Sequence, residues 1–122
     1  MASPNDLLND ASTFGLLFED MSIRDLKIYA DMLDGKVKHY RDKNGLEIDA
    51  IVHLDDGRWG AIEVRLGSPE GIQEATNHLL KLDASLSSGF KKPSFKMVLT
   101  ACGKAYKQEN GVYVCPINLL RD

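Results

Sequence analysis

The stretch Leu46-Glu47-Ile48-Asp49-Ala50-Ile51-Val52-His53-Leu54, then the turn Asp55-Asp56-Gly57, then Trp59-Gly60-Ala61-Ile62-Glu63-Val64-Arg65-Leu66, decides the fold. Each run is short, rich in β-branched and apolar residues, and bounded by turn formers, the pattern of two hairpin-linked strands. Ile48, Ala50, Val52 and Leu54 would share one face of the first strand. Apolar residues from Ala61 to Leu66 crowd both faces of the next, which suits central strands covered on both sides.

Working upstream, Val37 to Arg41 and the turn Asp42-Lys43-Asn44-Gly45 add a third strand, giving a meander. Before it, Phe14, Leu17, Phe18, Met21, Leu26, Tyr29, Met32 and Leu33 recur at three- and four-residue intervals, so a helix is expected over Phe14 to Leu33. Gly35 would close it as a C-terminal glycine. Ser3-Pro4 suggests a separate short helix over Pro4 to Leu8, with a break near Asp10 to Thr13.

Downstream, Pro69 opens a second helix with Ile72, Ala75, Leu79, Leu80 and Leu82 at helical spacing, ending near Ser87-Ser88-Gly89. Phe95 to Thr100 reads as a strand, Ala105-Tyr106 and Val112 to Cys115 as a small hairpin, and Ile117 to Leu120 as a last helical turn. The fold class expected is α/β: an αβββαβ mixed sheet flanked by helices, with a small C-terminal hairpin. The helical crossover makes the third and fourth strands parallel neighbours or near neighbours.

At 122 residues without repeats or a linker, residues 1–122 read as one domain. The apolar share of 43% and charged share of 27% are those of a soluble globular protein, and no apolar run reaches the ~20 residues that span a bilayer. The opening MASPNDLLND lacks the basic and apolar segments of a secretory signal, so a cytoplasmic location is expected. Cys102 and Cys115, with twelve residues between them, match no zinc spacing and read as reduced structural thiols. A net charge of −3 argues against a generic nucleic-acid binder, so any DNA contact must be local. The densest basic stretch, Lys36, Lys38, His39, Arg41 and Lys43, is either a solvated strand face or a phosphate track.

Against the apolar sheet, three acids and one base stand where packing offers no reason for them. Asp49 sits in mid-strand between Ile48 and Ala50, and Asp is depleted from strands. Glu63 and Arg65, two apart on one strand, share a face. Glu19 lies on the first helix, where its helical neighbours Gly15, Ile23, Leu26 and Ala30 are small or apolar. A buried ion pair of Arg65 with Glu63 or Asp49, holding helix to sheet, is one explanation. Three carboxylates against one guanidinium nevertheless leave excess negative charge, which a cation or an open cleft would offset. His53 and His78 lack a second ligand at i+4 and read as structural or surface residues.

Gly45-Leu46-Glu47-Ile48-Asp49, thirteen residues, then Glu63-Val64-Arg65 resembles the signature of the PD-(D/E)xK, or restriction-endonuclease-like, nuclease superfamily. Glu19 matches the further acid that Holliday-junction resolvases carry on the preceding helix. More closely, Phe14-Gly15-Leu16-Leu17-Phe18-Glu19, Arg24-Asp25-Leu26, His39-Tyr40-Arg41-Asp42, Asp56-Gly57-Arg58-Trp59 and Glu63-Val64-Arg65-Leu66-Gly67 resemble the uncharacterised C-terminal domain of AAA-type ATPases. That likeness spans nearly the whole chain. No GxxxxGK[ST] phosphate loop is present, so ATP binding is not implied; the chain would be a separated module of a larger ATPase.

The resemblance implies a DNA endonuclease site in which Asp49, Glu63 and the Val64 carbonyl hold Mg²⁺, with Glu19 on the metal's water shell and Gln73 as a further polar residue. The family pattern has lysine where this sequence has Arg65. Arginine keeps the charge, but with a pKa above ~12 it cannot take a proton from water, so cleavage would be weakened. Two functional classes follow: a metal-dependent DNA endonuclease or its degenerate DNA-binding form, and an interaction module that docks on an ATPase domain or forms a homodimer.

Overall fold

A computed structural model describes residues 11–86 and 89–120. Helix α1 (Ala11–Met32) leads into strands β1 (Gly35–Arg41), β2 (Glu47–Leu54) and β3 (Trp59–Arg65). Helix α2 (Pro69–Ser85) follows, then β4 (Phe95–Thr100), β5 (Tyr106–Lys107), β6 (Tyr113–Pro116) and a 3₁₀ turn over Ile117–Leu120. The six strands form one mixed sheet in the order β1-β2-β3-β4-β6-β5. The pairs β3/β4 and β4/β6 are parallel and the other neighbours antiparallel. The expected mixed α/β architecture is therefore present, and the C-terminal hairpin extends the main sheet through β6.

Each face of the sheet carries one helix. Ala75, Leu79 and Leu82 of α2 pack with Ile48, Ile51, Ala61 and Val98, while Leu26 of α1 packs with Ala50, Ile62, Val64 and Leu99. Burying side chains such as Leu79, Leu82 and Leu99 contributes roughly 1.5–3 kcal/mol each. Ser68 caps α2, its hydroxyl accepting from the Gly71 amide at 3.0 Å, and Pro69 stands in the first turn.

Four local readings are corrected. The helix expected over Pro4 to Leu8 lies outside the described residues, but Ala11 to Thr13 are already helical, so no break falls there. Asp34, at φ 56°, makes the left-handed residue that ends α1. Gly35 instead begins β1, where a Cβ would stand 2.7 Å from the His53 carbonyl oxygen. On α1 the buried face is Ser22, Leu26 and Ala30 with Phe18 beside them, a four-residue step, whereas Leu17, Met21, Tyr29, Met32 and Leu33 are exposed.

The fourth correction matters most for the site. Ile48 faces α2 while Ala50 and Val52 belong to the α1 side, so the four apolar residues of β2 do not share a face. Lys38 pairs with Ile51 and Tyr40 with Ile48, leaving His39 alone opposite Asp49 and Ala50. That two-against-one count is a β-bulge, a device that turns side chains to the other face.

Candidate functional site

The β2/β3 ladder runs from His53↔Trp59 to Ala50↔Ile62 and stops there, next to the bulge. Beyond it, side chains take over the backbone groups. The Asp49 amide donates to Glu63 Oε1 at 2.8 Å, and the Val64 amide donates to Asp49 Oδ2, also at 2.8 Å. Such charge-assisted bonds satisfy amides that the lost ladder would have left unpaired.

Arg65 closes the arrangement. Its Nη1 donates to the Val64 carbonyl oxygen at 2.8 Å and to Asp49 Oδ2 at 3.3 Å; its Nη2 donates to Glu63 Oε2 at 3.0 Å and to Glu74 Oε1 at 3.2 Å. A planar guanidinium suits this many-acceptor geometry in a way that a lysine ammonium does not. Glu63 is 2% exposed, Arg65 21% and Glu74 64%, so the cluster reaches from the core to the surface of α2. His78, one turn beyond Glu74 on α2, places Nδ1 at 2.9 Å from Glu63 Oε2. With Glu63 ionised, the carboxylate only accepts, so Nδ1 carries the hydrogen.

Glu19 joins from α1 through a side-chain hydrogen bond to Asp49. Partial burial, that hydrogen bond and the nearby Asp49 charge raise its pKa from the ordinary 4.5 to about 7. Glu63 is likewise raised by burial and by Asp49, against the opposing pull of His78, the Asp49 amide and Arg65. Burial works against the charge on Arg65, but Glu63, Asp49 and Glu74 outweigh it and raise the pKa. The excess negative charge is thus met by one guanidinium and one imidazole donor, and eased by the raised pKa of Glu19.

Glu19, Asp49, Glu63 and Arg65, which the sequence singles out, come together here with the Val64 carbonyl. Gln73 turns elsewhere: it is exposed and donates to Asn77 Oδ1 at 3.1 Å along the helix. Glu74 and His78 are the members that sequence reading misses. Both lie on α2 at i and i+4, and that shared helical face was the available signal. His53 stacks beside Trp59, away from the cluster.

A divalent ion would draw on Asp49 Oδ2, Glu63 Oε2 and the Val64 carbonyl oxygen. All three accept from Arg65, and Glu63 Oε2 accepts from His78 as well. Among the described residues, no three His, Cys, Asp or Glu side chains are grouped to hold a metal ion. The donor set as arranged does not fit Mg²⁺. A separate apolar cavity of about 210 Å³, lined by Leu26, Tyr29, Ala30, Val52, Ile62 and Met97 among others, lies between α1 and the sheet and includes none of the cluster residues.

A family model described as "Domain of unknown function (DUF4143)" matches residues 14–120. The chain belongs to the DUF4143 family. DUF4143 domains commonly occur with AAA-type ATPases. No curated protein and no solved structure matches this DUF4143 chain. The matched segment contains every member of the cluster, from Glu19 to His78. Among the described residues of this DUF4143 domain, no helix is long and apolar enough to cross a membrane.

Proposed function

We propose that this DUF4143 domain is a PD-(D/E)xK nuclease-like module of an AAA-type ATPase system inside the cell, directed at DNA and weakened in cleavage. The observation that carries this reading is the convergence of Glu19, Asp49, Glu63 and Arg65 where the β2/β3 ladder ends, beside the bulge that β2 makes against β1. A bulge that re-aims an acid beside a splayed strand pair is a feature of functional sites, and packing alone gives it no purpose. The weakening follows from Arg65, which stays protonated and is tied to four acceptors, so it is not free to orient or deprotonate a water. Lys36 and Lys38, exposed on the edge strand β1, would supply local phosphate contacts in spite of the net acidic charge.

The test is cleavage of linear and branched DNA in Mg²⁺ or Mn²⁺ by the chain and by Arg65→Lys. The expected result is little or no cleavage by the chain and a gain in the lysine variant that Asp49→Asn removes. Full activity in the unaltered chain, or no gain with lysine, would count against this reading.

A second reading, a docking module for the ATPase domain, is favoured by the exposed apolar residues Leu17, Met21, Ile28 and Met32 on α1. They form one stripe along the helix, and such patches commonly mark protein contacts. Co-purification with the ATPase domain, lost on changing Met21 and Ile28 to serine, would support it.

A further inference from the structure

A cluster of partly buried carboxylates usually needs a cation to be tolerated. Here the chain supplies its own. The Arg65 guanidinium touches Asp49 Oδ2, Glu63 Oε2 and the Val64 carbonyl oxygen, the three oxygens that a hard divalent ion would claim. The fourth contact, to Glu74 Oε1, anchors the guanidinium to α2. Every oxygen of the buried Glu63 is also occupied: Oε1 by the Asp49 amide, Oε2 by Arg65 and His78.

We infer that Arg65 is the resident cation of this site, standing in place of the divalent ion that the nuclease-like frame implies, so that the domain folds and keeps its site shape without metal. The inference rests on the nuclease-like reading only for which ion is replaced. Three features argue for replacement over incidental pairing. The guanidinium reaches side-chain and backbone oxygens together, as a metal would. Its fork holds acceptors from β2, β3 and α2 at once, which a single ammonium could not do. Glu63 is 2% exposed, so an ion entering the site would have to displace Arg65 from a desolvated partner.

The experiment is a Mn²⁺ titration, followed by thermal unfolding and by the electron paramagnetic resonance of free Mn²⁺, on the whole chain, Arg65→Ala and Arg65→Ala/Asp49→Asn. For the unaltered chain, no depletion of free Mn²⁺ and no change of melting temperature between Mn²⁺ and EDTA are expected. Arg65→Ala uncovers the carboxylates: its melting temperature should fall in EDTA and rise by roughly 5 °C or more with saturating Mn²⁺, with a matching loss of free-ion signal. Asp49→Asn in that background should abolish the rise.

If Arg65→Ala does not fold in EDTA, its folding on addition of Mn²⁺ supports the inference equally. If it does not fold under either condition, Arg65→Lys decides: Asp49-dependent Mn²⁺ uptake by the lysine variant supports the inference, and no uptake overturns it. Asp49-dependent Mn²⁺ binding by the unaltered chain overturns it, as does a folded Arg65→Ala that takes up no Mn²⁺. None of these readouts involves DNA, so failure of the nuclease-like reading shows only in the cleavage assay.

Discussion

Asp49 and Glu63 exchange a reciprocal pair of contacts in place of a ladder rung: the Asp49 amide donates to Glu63 Oε1, while Asp49 Oδ2 receives the amide of Val64, the residue after Glu63. The strands part without leaving these amides unpaired. Asp49→Ala removes the acceptor for Val64 and one of the three carboxylates facing Arg65, and should cost about 1–3 kcal/mol. Asp49→Asn keeps an oxygen in place and should cost less. Urea unfolding of both variants checks the order, and equal stability of the two would contradict it.

His78 hydrogen-bonds the buried carboxylate of Glu63. His78→Ala takes one donor from a carboxylate that is 2% exposed and leaves Arg65 and the Asp49 amide in place. A loss of about 1–2 kcal/mol is expected by chemical denaturation, with Glu63→Gln/His78→Ala losing less than the sum of the single changes because the partners are coupled. Additive effects would place the imidazole outside the cluster.

The pH dependence follows from Glu19. Its carboxyl titrates near 7 in the folded protein against an ordinary 4.5, chiefly because it is partly buried and bonded to Asp49. A raised acid pKa stabilises the fold most below the unfolded value and loses that contribution as pH climbs through the folded value. Glu63, also raised by burial, acts with the same sign. The melting temperature should therefore receive a falling contribution between about pH 4.5 and 7. Glu19→Gln should flatten this part of the profile and be the more stable protein at pH 8. An unchanged slope in the variant would refute the assignment.

Gly35 is required by closeness. A Cβ there would stand 2.7 Å from the His53 carbonyl oxygen and 2.9 Å from Leu54 Cδ2, and the first of these neighbours is backbone in a paired strand. Gly35→Ala should destabilise by about 1–3 kcal/mol, the usual cost of forcing extra volume into a packed site. A stability equal to that of the parent would show that β1 can shift without penalty.

Much of the architecture is legible in the residues because local pattern and tertiary packing agree. Phe95 to Thr100 is read at its observed bounds since an apolar run between loop residues has few other solutions. The parallel pairing of β3 with β4 follows from the helical crossover between them. Asp49, Glu63 and Arg65 stand out because charge in an apolar strand demands a partner. What the sequence conceals depends on distance in the chain. The bulge at Asp49 and Ala50 exists only relative to β1, and period-2 reading of β2 alone puts Ile48 on the wrong face. His78 reads as a structural or surface residue because no ligand follows at i+4 on its own helix, yet its partner lies on β3. Gln73 and Glu74 differ by 100° of helix, enough for one to reach Asn77 and the other Arg65.

Arg65 and Glu63 form one ion-paired unit inside the fold. A double-mutant cycle with Arg65→Met and Glu63→Gln, read by urea unfolding at pH 7.5, measures that directly. The double change should cost less than the sum of the two single changes, with a coupling of about 1.5 kcal/mol or larger, because either partner alone leaves the other uncompensated. A coupling within about 0.3 kcal/mol of zero would mean that the two side chains are energetically independent, and the self-neutralised site would not exist.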